Sequence, residues 1–196
     1  MTVVLGVPPA AAGEPVPPSA ADWRVEYPCD RYLTQRAGQT VSSVWRYHID
    51  AAERPDRATA LTLSAGKSPR SKCETTVGGW GGGGYDGGHL IASTLEGVSR
   101  RINLVPMRKK INIGIYKVFE NGAKKSIDPK DAAKDQTFYQ SEVAYPDAKS
   151  VVPSSFTVSM IPKKKGGTGS EIKLVIPNED ISKQKESALK RSSTTG

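Results

Sequence analysis

The chain contains no run approaching the ~20 apolar residues that a membrane-spanning helix needs, which excludes such a span within it and leaves no membrane among its expected partners. No internal repeat is visible, so repeat architectures are excluded as well. Histidine is scarce: with two in 196 residues, His48 and His89, imidazole chemistry has only two possible seats. Cysteine also stops at two, Cys29 and Cys73, which leaves room for one disulfide at most. The length suffices for one domain with a real core and falls short of two large ones.

The two ends are poor in side chains that could repay the entropy of ordering them. Residues 1–22 are rich in Pro and Ala and read as a disordered leader or linker. Residues 178–196, with scattered Lys and Ser, read as a flexible polar tail, and the folded domain is expected over 23–177. Within the leader, the apolar Val3–Val7 and the small residues Ala10–Gly13 look like the end of a signal peptide without its basic start. That points to a secreted or exported protein. A Cys29–Cys73 bridge closing a long loop would suit an oxidising compartment; two separate buried thiols are the alternative.

Charge is what the chain has in excess. The net charge is +8, gathered at Arg100–Arg101, Arg108–Lys110, Lys124–Lys125 and Lys163–Lys165. Such clusters favour a polyanionic partner, although charge of this size also serves plain solubility. Residues 41–50 and 58–63 carry β-branched and aromatic residues in partial alternation and read as strands. The glycine run 78–84 reads as a flexible loop feeding a short strand in which backbone must approach something closely. Residues 102–106 make a short extended piece. From Arg108 the spacing of Ile111, Ile115, Val118 and Phe119 predicts a helix, with Gly122 as its terminator and Asn112, Tyr116 and Glu120 on the other side. Residues 156–161 and 171–176 alternate and predict a hairpin with a long basic loop.

His48 sits in an alternating strand and reads as structural or surface. His89 stands in a different setting: Asp86 three residues before it, Gly87 and Gly88 between, and Leu90-Ile91-Ala92 after. Asn103, Asn112 and Glu120 follow downstream. The piece Asp86-Gly87-Gly88-His89 resembles the Asp-Arg-Gly-His motif of the DNA/RNA non-specific endonucleases, which belong to the ββα-metal (His-Me finger) nucleases. The resemblance continues through Asn103-Leu104-Val105-Pro106 and through Asn112-x-Gly114 to Glu120. It is strong over residues 85–120, weaker over 141–161, and nearest to bacterial secreted and polymorphic-toxin nuclease domains.

The resemblance implies an α+β fold, a ββα-metal nuclease core with an antiparallel sheet and flanking helices. It implies a metal-dependent endonuclease cutting DNA and RNA with little sequence preference. The alternatives are a domain that binds nucleic acid with weak or no catalysis, or a toxin nuclease with a cognate immunity or inhibitor protein. His89 would be the general base. Asn112 would hold one Mg²⁺, with Mn²⁺ as a substitute, and Glu120 would reach the ion through water. Asp86 and Asn103 would orient the loop and His89 by hydrogen bonds. Where the family often has Arg, this chain has Gly87, so Arg100, Arg101, Arg108 and Lys117 become the candidates for meeting phosphate. Trp80 and Tyr116 could stack on bases, although aromatic residues in such places more often pack.

Overall fold

The computed structural model describes residues 29–33, 45–60, 63–127, 137–164 and 167–193. The expected leader, 1–22, lies outside them, as do the first residues of the strand expected from 41 and the last triplet of the chain. In chain order the elements are β1 (Trp45–Ile49), β2 (Pro55–Ala60), α1 (Cys73–Gly79), β3 (Tyr85–His89), a 3₁₀ turn (Arg101–Asn103) and β4 (Leu104–Arg108). They continue with α2 (Lys109–Ile111), a π-helical turn (Asn112–Tyr116), α3 (Lys117–Lys125), β5 (Phe138–Ala144), β6 (Ser155–Ile161), β7 (Lys163–Lys164), β8 (Gly167–Thr168), β9 (Ile172–Pro177) and α4 (Lys183–Ser192).

Five strands form one antiparallel sheet in the order β1-β2-β5-β6-β9. Successive side chains on a strand point to opposite faces, and the sequence obeys that period. Phe156, Val158 and Met160 of β6 and Ile172, Leu174 and Ile176 of β9 face inward, while Lys173 and Val175 face solvent. Ile111, Ile115, Tyr116, Phe119 and Ala123 from the helical stretch enter the same core. Tyr116 meets Phe156 edge-on at 5.5 Å between ring centroids, and Phe119 lies 6.0 Å from Tyr139. The hairpin expected from 156–161 and 171–176 is present as β6 and β9, with β7 and β8 forming a small ladder in its basic connection.

The second sheet is the ribbon β3–β4, and with the helix that follows it makes a ββα unit. The two faces of the ribbon meet different neighbours. Val105 and Met107 join the main core. Leu104 faces the other way, onto Cys73 and Val77 of α1, with Cys29 and Trp80 at the margin. Cys29 and Cys73 are joined by a disulfide, with Cα atoms 5.4 Å apart, which ties the first described segment to the start of α1.

Three expectations need correction, and one strand was not expected at all. The glycine run does not begin as a loop: Gly78 and Gly79 end helix α1, and the missing side chain of Gly78 lets that helix lie on β3. Gly122 does not terminate the long helix, which runs on to Lys125, because the packing of Phe119 and Ala123 outweighs the modest cost of one internal glycine. Strand β5 had no sequence expectation of its own. Last, the segment beyond Pro177 is not a featureless tail. Ser182 caps α4 through the Lys185 N–H, and Ile181 and Leu189 pack on the core. Asn178 is buried and bonds Arg108 N, Pro106 O and Pro153 O, which pins this segment to the end of β4.

Candidate active site

His89 closes β3, and alternation puts it on the same face as Gly87, the face that α1 covers. Its ring is buried, with Nε2 lying 2.9 Å from Ser99 Oγ and 3.8 Å from Glu74 Oε1. Ser99 is held in turn by the hydroxyl of Ser71, which donates to the Ser99 carbonyl and accepts the Cys73 N–H. Burial pushes the imidazole down to about 4; the Glu74 carboxylate pulls it back up, and Arg70 adds to the depression. His89 is therefore a neutral acceptor across the physiological range.

Asp86 leaves β3 on the opposite face. Its Oδ2 accepts a 3.3 Å hydrogen bond from Asn112 Nδ2, the first residue of the π-helical turn. Gly114 departs from helical dihedrals inside that turn, at φ −96° and ψ −114°, so the widening falls at the residues that carry Asn112. Glu120, one element further on, is half-buried close to Tyr116 and Tyr139. Burial pushes its carboxyl up to about 8, with Lys117 pulling the other way.

Asn103 bonds the loop, which is one half of its expected task, and not His89. Its Oδ1 accepts the Ile91 N–H, and its Nδ2 donates to the Ile91 and Val98 carbonyls. It thus clamps the loop that starts just after His89. Among the described residues His89 makes no hydrogen bond with Asp86, Asn103 or Asn112, which corrects the expectation that the first two hold it directly. The reason is the pleat: residues 86 and 89 project from opposite faces of one strand.

The basic candidates separate by burial. Arg101 is fully buried, donating to Leu104 O and Arg31 O, with its guanidinium 5.0 Å from the centre of the Trp80 ring. It cannot meet phosphate and is a structural strut. Arg108 is partly exposed, stacked 4.4 Å over Tyr85, with Asp180 3.9 Å away. Arg100 is partly exposed and Lys117 exposed. Tyr116 is buried, its hydroxyl bonded to Leu90 O and Ser141 Oγ, and Trp80 is packed against arginines, so Tyr116 offers no ring to a base. His48 pairs with Asp56 on the β1–β2 hairpin.

Sequence reasoning missed Glu74 and Ser99, which lie against Nε2 of His89. Neither has a motif signature. Glu74 reads as a solvated carboxylate until α1 is laid across the glycines of β3.

The DNA/RNA non-specific endonuclease family matches residues 35–164, a stretch that contains the whole ββα unit. Among solved structures, NucA from Streptococcus agalactiae with a magnesium ion bound is similar at 19% identity, over 77% of each chain, with a TM-score of 0.55. EndoG in its complex with EndoGI is similar at 14% identity, over 78% of this chain and 82% of that one, with a TM-score of 0.50. At these identities the likeness is one of fold. No curated protein sequence matches the chain.

Proposed function

The chain belongs to the DNA/RNA non-specific endonuclease family and is a nuclease that hydrolyses phosphodiester bonds; on that premise we propose that His89 is its general base and Asn112 its holder of a divalent cation. The observation that carries this reading is the ββα unit itself: β3 ends in a buried neutral imidazole, and Asn112 opens the helical turn against Asp86. Ser99 and Glu74 occupy the Nε2 side of the ring. That leaves Nδ1 to take a proton from water as the water oxygen bonds to phosphorus and the bond to the departing 3′ oxygen breaks.

The donors beside Asn112 fit a hard cation. The Asn112 amide nitrogen is turned toward Asp86, so its carbonyl oxygen and the Asp86 carboxylate offer oxygen only. No group of three or more His, Cys, Asp or Glu side chains is placed to hold a metal among the described residues. Such a sparse set suits an ion that keeps most of its own water, and this supports Mg²⁺ with Mn²⁺ as a substitute. When bound, the cation would supply charge neutralisation at the scissile phosphate and at the departing oxygen. Glu120 would act on it only through water.

His89 and Asn112 flank β3 from opposite faces, and among the described residues β3 pairs with β4 alone, so its outer edge is where one phosphate could meet both. Arg100, Arg108 and Lys117 supply exposed or partly exposed charge for the rest of the backbone. The Cys29–Cys73 bridge supports an exported protein working in an oxidising compartment.

The test is cleavage of plasmid DNA and of RNA by purified protein. Activity is expected to vanish in EDTA and to return with Mg²⁺ or Mn²⁺. His89→Ala is expected to lower turnover at least ~10²-fold while leaving the fold intact. Full activity in chelator, or a folded His89→Ala protein that cuts normally, would overturn the reading.

A further inference from the structure

Two glycines let α1 approach β3 backbone to backbone. A Cβ built at Gly87 would stand 2.2 Å from the carbonyl oxygen of Glu74, and one at Gly78 would stand 2.8 Å from the Gly87 nitrogen. No side chain fits in that gap. The position where the family often carries arginine is therefore occupied here by the helix itself, and the helix brings Glu74 to His89.

Glu74 is an unusual carboxylate. It is buried; one oxygen is ion-paired with Arg70, and the other, Oε1, is fully enclosed without a hydrogen-bond partner among the described residues. A buried carboxylate oxygen left unpaired is costly. Oε1 faces His89 Nε2 at 3.8 Å. Ser99 touches the same nitrogen, but a hydroxyl both donates and accepts and so cannot choose a tautomer. A carboxylate only accepts, and so it can.

We propose that Glu74 is a positioning residue for the hydrolysis: it holds His89 in the tautomer protonated at Nε2, keeps Nδ1 free, and stabilises the imidazolium formed there. The inference rests on the reading of His89 as base. The proton taken from water resides on Nδ1, Nε2–H stays directed to Ser99 and Glu74, and the negative charge of Glu74 balances the ring while the P–O bond breaks. Catalysis by a histidine in the wrong tautomer can fall by orders of magnitude. The charged groups bearing on the imidazole are Glu74, which raises its affinity for a proton, and Arg70, which lowers it.

The experiment uses the full chain in three forms: wild type, Glu74→Gln and Arg70→Gln. For each, kcat and KM on plasmid DNA are measured against pH, and the ring nitrogens of ¹⁵N-labelled histidine are read by NMR, with only two histidines to assign. Glu74→Gln is expected to lower kcat at least ~10-fold with little change in KM, to move the acid limb to lower pH, and to mix the His89 tautomers. Arg70→Gln is expected to move the acid limb to higher pH. A folded Glu74→Gln protein with the wild-type tautomer and an unmoved acid limb would refute the proposal. If Glu74→Gln does not fold, an Arg70→Gln acid limb that stays in place refutes it instead. His89→Ala separates the two readings: a fully active protein sinks the base assignment, whereas an inactive one beside an unaltered Glu74→Gln profile sinks only the role of Glu74.

Discussion

The five-stranded sheet and the β3–β4 ribbon are built on opposite principles. The sheet buries a redundant apolar face in which Phe156, Val158, Leu174 and Ile176 share the load with Phe119 and Tyr139. The ribbon is thin and rich in glycine, and it buries polar groups: His89, Glu74, Ser99, Arg101 and Asn103 all lie on it or against it. Apolar burial is non-directional and tolerates repacking. Buried polar groups demand partners in fixed places. Damage to the sheet should therefore appear as lost stability, and damage to the ribbon as lost chemistry.

Phe119→Ala gives the largest expected effect on stability. Removing that ring from the sheet–helix contact should cost about 3–5 kcal/mol, while kcat of the remaining folded protein stays near wild type at low temperature. Denaturant titration with parallel assays checks this, and a kcat falling along with stability would blur the comparison. Removing the disulfide by a double Cys29→Ser, Cys73→Ser change comes next, at about 3–4 kcal/mol by the chain-entropy account. A loss under ~1 kcal/mol would show that the closed segment is ordered without it.

Gly87→Ala should cost less stability, about 1–3 kcal/mol of overpacking, and far more activity, because the added carbon meets the Glu74 backbone and lifts α1 from His89. Gly87→Arg should fare worse, although it restores the side chain common in the family. An active Gly87→Arg protein would mean that α1 does not sit where the structure places it.

The smallest effect is a pH linkage. His89 titrates below its ordinary value of 6.5 in the folded protein, so the folded state binds its proton less readily than the unfolded chain. The stability tied to its neutral ring is complete above pH 6.5 and is lost as pH falls toward about 4. Melting curves of wild type should therefore drop more steeply over that window than those of His89→Gln. Parallel curves would show that the ring is not desolvated.

The candidate site was legible in the chain through a resemblance: the pieces around His89, Asn103 and Asn112 resemble a nuclease family, and that resemblance proposes the chemistry. The alternation of 156–161 and 171–176 predicts two strands of the sheet, and both are present. Arg101 was not legible. In a string it is one more member of a basic cluster, and only the closure of the ribbon over Trp80 and Arg31 turns it into a buried strut. The segment after Pro177 misled for a similar reason: its polar composition hides Asn178, Ile181 and Leu189, whose value comes from surfaces distant in sequence.

What the sequence determined by itself was a set of candidate reactive groups and the strand and helix periods that carry them, because side-chain chemistry, strand alternation and helix spacing are properties of neighbouring residues. What only the tertiary structure decided was the company those groups keep. Glu74 beside His89, Asp86 on Asn112 rather than on His89, and the burial of Arg101 and Tyr116 all depend on which faces meet when α1 and the large sheet close on the ribbon. Contact across such faces is set by shape and by what a glycine leaves vacant, and no run of consecutive residues encodes it.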